Sequence, residues 1–168
     1  MFWILIAVNL KYFRILTFKQ IQYVKKVSFH YADRQLNIAD KTGIKAAVEE
    51  LFILEKRKLD HIDYIFCSDK YLLEINKQYL QHDFYTDIVT FDLSENKNET
   101  IGEVYVSIDR IKDNAAKLKQ PLKNEILRVI FHGSLHLCGY KDKSDKENKL
   151  MRSKEDFYIA AYLQKTKI

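Results

Sequence analysis

The apolar residues of this chain change period along its length, and the order of those changes restricts the fold more than any other feature. In KVSFHYAD, Val27, Phe29 and Tyr31 alternate with Ser28, His30 and Ala32, the period of a strand. From Asp40 to about Lys58 the spacing of Ile44, Ala47, Val48, Leu51 and Leu54 is helical. HIDYIFCS is a second strand, and Ser68 then caps a helix through Leu72, Ile75, Asn76 and Tyr79. The loop QHDFYT leads into the strand DIVTFDL, and a hydrophilic turn over Ser94 to Thr100 reaches the strand IGEVYVSI, so these two form an antiparallel hairpin. Residues 108–119 read as a solvent-facing helix, and Pro121 suits the first turn of the next one. Ser144 and Glu147 make a capping box that opens a last helix through Leu150, Met151, Phe157, Ala161 and Leu163. Four strands and four to five helices in this order predict a single α+β domain. Its helices pack mainly on one face of a mixed four-stranded sheet.

Size agrees with one core. The chain has 168 residues, 47% of them hydrophobic, with one proline and four glycines, and shows no linker, repeat or low-complexity stretch. Cys67 and Cys138 have no CxxC spacing, which suits a reducing, cytoplasmic setting. Cys138 lies near two histidines and can in principle ligate, although a small buried hydrophobe is the commoner role. The opening MFWILIAVNL is interrupted by Lys11 and Arg14, too soon to span a bilayer, and it lacks the marks of a signal peptide. A docking segment, a membrane-surface helix and an extension outside the functional domain are the three readings. Organised patterning starts near Lys26, which favours an extension over 1–26 and a functional domain over 27–168, with no stable membrane association.

The chemistry concentrates in FHGSLHLCGYKD, residues 131–142. His132 and His136 stand one turn apart on a helix face and can reach one ion. Gly139 can take positive φ and turn the chain back, bringing Asp142 to the same point. Two imidazoles and a carboxylate suit one Zn²⁺ with a position open for water, a catalytic rather than a structural site. A lone His pair at this spacing is as often two ordinary histidines; the glycine and third ligand at matching offsets argue against that. The spacing is also that of the metzincin proteases, but their glutamate general base is Gly133 here, which excludes that route to peptide hydrolysis.

Charge points to a polyanion. Residues 1–100 hold 14 Lys/Arg against 14 Asp/Glu, and residues 101–168 hold 14 against 9. The excess of +5 thus lies in the part that carries the histidines, which favours RNA over a neutral partner, though solvated helix faces also carry lysines. No aromatic RNA-recognition signature accompanies it.

Three blocks in order resemble the YbeY family of bacterial endoribonucleases and rRNA maturation factors: HGSLHLCGYKD from His132, Asn76 through Tyr79 and Leu80 to TDIVTF ending at Phe91, and GEVYV from Gly102. The resemblance covers roughly residues 27–165. It implies a zinc-dependent, single-strand-specific endoribonuclease that matures the 3′ end of 16S rRNA and acts in ribosome quality control, with the small ribosomal subunit as partner and no nucleotide cofactor. His132 and His136 match the family's first two zinc ligands, and Asp142 stands at its third histidine. An anionic third ligand should leave bound water somewhat less acidic. The family's phosphate-facing arginine is Leu80 here, so His82, Arg128, Lys141 and Lys143 become the RNA-binding candidates. Asp87 is a candidate for positioning the reacting groups, against the commoner role of tying its loop. Ser134 is expected to bond back to its own turn. A second reading keeps the zinc and drops catalysis, leaving a metal-stabilised ribosome assembly factor.

Overall fold

The computed structural model describes residues 26–96 and 99–166. Strand β1 (Val27–Tyr31) leads through helix α1 (Lys41–Leu54) to strand β2 (Leu59–Cys67). Helix α2 (Asp69–Ile75) continues into a π-helical turn over Asn76–Leu80. Strands β3 (Ile88–Asp92) and β4 (Thr100–Ser107) follow, then helices α3 (Ile108–Lys117), α4 (Leu122–Leu137) and α5 (Asp145–Lys165). The sheet runs β1-β2-β4-β3, with β1 and β4 parallel to β2 and β3 antiparallel to β4. The α+β class, the mixed four-stranded sheet and the β3–β4 hairpin therefore stand as the periodicity implied. So do the cap at Ser68 and the capping box of Ser144 and Glu147. The expected extension over 1–26 lies, Lys26 apart, outside the described residues.

The alternating strand residues make two unequal cores. On one face Val27, Ile62, Tyr64, Phe66, Ile88, Val104 and Val106 pack with apolar residues of α1, α4 and α5. Each large side chain buried there contributes roughly 1.5–3 kcal/mol. The opposite face carries a small cluster of Cys67, Leu72, Val89 and Phe91, with Tyr79, Leu80 and Tyr105 packed against it, so α2 and its π-turn cover only that end.

Two elements depart from the periodicity reading. Helix α3 is amphipathic rather than solvent-facing, because Ile108, Ile111 and Ala115 are buried against the neighbouring elements. Helix α1 ends at Leu54, short of Lys58, where Lys56 takes a left-handed φ of 55° and the backbone N–H of Arg57 donates to the Phe52 carbonyl.

Helix α4 is the element that positions the site. Gly133 faces the sheet so closely that a Cβ would lie 2.7 Å from Val104 Cγ1 and 3.1 Å from Ile88 Cδ1. Where the proteases have a glutamate, this helix has a packing contact. Tyr64 of β2 fixes the helix in register, its Oη 3.0 Å from the Ile130 carbonyl and 2.6 Å from Ser134 Oγ. Ser134 Oγ also reaches the Ile130 carbonyl of its own turn at 3.0 Å.

Candidate metal centre

His132 and His136 project from the last turns of α4, and the chain then reverses at Gly139, whose φ is 99°. Backbone N–H groups of Cys138, Gly139 and Tyr140 donate back to Ser134, His136 and Leu135, which closes the helix end. A Cβ at Gly139 would meet nothing within 4 Å, so it is the backbone angle, not space, that calls for glycine. The reversal carries Asp142 back to the histidines, 6% exposed.

The three side chains converge. His132 Nε2 and His136 Nε2 are 3.0 Å apart, and Asp142 Oδ2 lies 3.8 Å from the first and 3.9 Å from the second. A tetrahedral zinc ion bound at its usual distances would hold such atoms about 3.3 Å apart. The proton pattern also suits a cation. His132 Nδ1 donates to Glu155 Oε1 at 2.7 Å, and His136 Nδ1 donates to the Tyr140 carbonyl at 2.9 Å. With Nδ1 engaged on both rings, the two Nε2 atoms face one shared point, as two ligands of one cation do. Burial, and next the nearby His132, push the His136 pKa down to about 3, so its imidazole is the neutral, ligating form. The residues present fit a divalent ion, and His132, His136 and Asp142 are the group that can hold it.

Glu155 is a site residue that the sequence reading missed. Its side chain is 1% exposed, and it accepts from His132, from Arg128 Nη1 at 2.8 Å and from Arg152 Nη1 at 2.9 Å. Burial opposes its charge, but His132 and the two guanidinium groups outweigh that and hold the carboxyl below the usual range. A carboxylate behind a ligating imidazole fixes its tautomer and raises its basicity. A signal was there to read: Met151, Glu155, Tyr158, Ile159 and Tyr162 form the buried stripe of α5, and one member is a glutamate.

Beside the triad lies a cleft of about 300 Å³, whose walls include Asp87, Asn114, Lys117, Glu125, Arg128 and Arg152 together with His132, Asp142 and Glu155. Of the anticipated residues, Asp87 and Arg128 thus share the cleft with the ligands. Arg128 also clamps α4 to α5 through Glu155 and, at 2.8 Å, Asp156. Lys141 and Lys143 are exposed on either side of the buried Asp142. His82 sits on the loop before β3, stacked on Phe84 at 4.9 Å between centroids. Glu125 was also missed; burial is the main cause pushing its carboxyl upward, and Asp87 adds to it. Cys138 stands outside the triad, packed against the main core with its thiol pushed up to about 12 by burial.

Residues 26–163 match the family model for Endoribonuclease YbeY. This chain belongs to the YbeY endoribonuclease family. It is similar to the Endoribonuclease YbeY of Cytophaga hutchinsonii, 45% identical over 130 residues that span 77% of this chain and 91% of that protein. The Endoribonuclease YbeY of Flavobacterium psychrophilum is 47% identical over the same shares. The solution structure of a Thermotoga maritima protein has a TM-score of 0.57 at 26% identity, covering 84% of this chain and 91% of that one. Leu80, where the resemblance led one to expect an arginine, packs against the small core cluster.

Proposed function

We propose that this protein is a zinc-dependent endoribonuclease that cleaves single-stranded RNA, matures the 3′ end of 16S rRNA and acts in ribosome quality control. The observation that carries the reading is the convergence of His132, His136 and Asp142, with both Nδ1 protons directed away from the shared point. Membership in the YbeY family supports the substrate class. A bound zinc ion supplies an acidified water and a Lewis acid for a phosphoryl oxygen.

The protein's own residues do the rest. Glu155 and the Tyr140 carbonyl keep both imidazoles oriented with Nε2 inward. In the cleft the carboxylates of Asp87, Glu125, Asp142 and Glu155 outnumber Lys117, Arg128 and Arg152 by one. A divalent ion reverses that balance, so phosphate affinity depends on the metal. Lys117, Arg128 and Arg152 meet the phosphate, and Asp87 orients the attacking hydroxyl or accepts its proton. Lys141 and Lys143 extend the phosphate contacts beyond the rim. The rRNA of the small ribosomal subunit is the partner, and the free thiols of Cys67 and Cys138 suit the cytoplasm. Among the described residues no helix is long and apolar enough to cross a membrane.

Leu80 favours a second reading in one respect: with the arginine gone, a zinc-stabilised assembly factor needs no phosphate grip there. An RNA cleavage assay on the zinc-loaded protein and on His136→Ala separates the two. Cleavage of a 16S 3′-end fragment by the first and not by a folded second supports the nuclease. Equal absence of cleavage, with retained binding to the small subunit, supports the assembly factor.

A further inference from the structure

We propose that the loop over residues 81–87 is a base-stacking platform for unpaired RNA beside the metal cleft, with Phe84 and Tyr85 as its stacking rings. The proposal rests on the RNA-cleaving reading above and adds how the strand is held.

The loop is a built structure. Asn76, 2% exposed inside the π-helical turn, donates from Nδ2 to the Phe84 carbonyl at 3.1 Å, and the backbone N–H of His82 donates to the Asn76 carbonyl at 3.3 Å. Lys77 pairs with Asp83 at 3.0 Å, and Thr86 Oγ1 donates to the Ile88 carbonyl at 3.3 Å. On this fixed frame the two aromatic rings point outward, Phe84 43% and Tyr85 54% exposed. Each is backed on one side. The His82 ring stacks on Phe84 with an interplanar angle of 24°, and the Arg110 guanidinium lies 5.2 Å from the Tyr85 centroid.

Charge decides what such a surface can bind. Arg110 is held by Asp69 at 2.9 Å, Lys77 by Asp83, and Arg34 by Asp109 at 2.7 Å. The loop therefore offers π faces more than phosphate grips, and Leu80 beneath it offers none. Lys117 stands instead on the cleft, with Arg128 and Arg152 held beside it on Glu155. A strand with its phosphates toward α3, α4 and α5 turns its bases toward the loop. Continuity supports the same path: Asp87, on the cleft wall, is two residues from Tyr85, at most about 7 Å along the chain. Aromatic rings stack on any unpaired base, whereas a duplex keeps its base faces covered, so the platform selects single strands without reading sequence.

The test is fluorescence anisotropy of zinc-loaded protein with a labelled 2′-O-methyl oligouridine, which resists cleavage, and with the same backbone lacking bases. Phe84→Ala and Tyr85→Ala should each weaken oligouridine binding roughly fivefold or more. Binding of the abasic strand and thermal unfolding should not change, and Phe84→Trp should retain affinity. Equal losses on both strands, or none on either, overturn the platform while wild-type cleavage leaves the nuclease reading intact. A wild-type protein that neither binds nor cleaves RNA overturns both.

Discussion

The turn after α4 and the loop before β3 each deliver an aspartate to the same cleft, Asp142 and Asp87, by opposite means. The turn is tied to distant parts of the chain. Tyr140 gives its carbonyl to His136 and its hydroxyl to Glu55 of the α1 end at 2.7 Å, and Asp142 is buried. The loop is tied to its own neighbours, from Asn76 to Ile88, and keeps Phe84 and Tyr85 in solvent. The geometry of the His132, His136 and Asp142 group is thus held by the core, and the two aromatic rings are carried by a surface loop. Substitutions in the first region should change stability and metal affinity, and those at the exposed rings Phe84 and Tyr85 only RNA affinity.

The largest expected effect is at Gly133. Gly133→Glu restores the protease glutamate but drives its Cβ into Val104 and buries a charge against the sheet. Denaturant titration should show a loss of about 4 kcal/mol or more, with no peptidase activity gained. A stable variant would mean that α4 can retreat from the sheet. Glu155→Ala should follow, destabilising by about 3 kcal/mol because His132 and Arg128 lose a buried partner. Its zinc affinity, measured against a competing chelator, should fall roughly 10- to 100-fold. Unchanged affinity would show that His132 keeps its orientation without the carboxylate.

Glu55 gives a smaller, pH-dependent effect. Burial works against its charge, yet hydrogen bonds from Lys154, Tyr158 and Tyr140 outweigh that and lower its pKa in the folded protein. A lowered carboxyl pKa stabilises above the ordinary carboxylate range and loses that contribution as pH falls through the folded value. Glu55→Gln should therefore destabilise by about 1 kcal/mol at neutral pH. Its deficit against wild type should shrink below about pH 4. A constant deficit would remove the charge from the explanation. The smallest effect is on the other side of the comparison: Phe84→Ala should alter stability by less than about 0.5 kcal/mol.

The same contrast explains what the sequence disclosed. His132, His136, Gly139 and Asp142 lie within one local run, so helix geometry and a single turn bring them together. The β3–β4 hairpin was legible for the same reason, its strands being joined by a short turn. Glu155 reaches His132 from 23 residues away, across the packing of α5 on α4, and periodicity cannot carry that contact. The strand order β1-β2-β4-β3 was equally out of reach, because parallel neighbours are set by how the connecting helices pack. The inner face of α3 is legible in the sequence, where Ile108, Ile111 and Ala115 recur at helical spacing amid charged residues.

The central claim is that His132, His136 and Asp142 together hold the catalytic ion, and zinc stoichiometry across two substitutions at Asp142 tests it most directly. Asp142→Ala should lose most of its zinc and its cleavage of RNA, and Asp142→His should keep the zinc, since an imidazole replaces the carboxylate as third ligand. Full zinc occupancy in a folded Asp142→Ala protein would contradict the assignment and move the third ligand elsewhere, with Asp145 the nearest carboxylate in sequence.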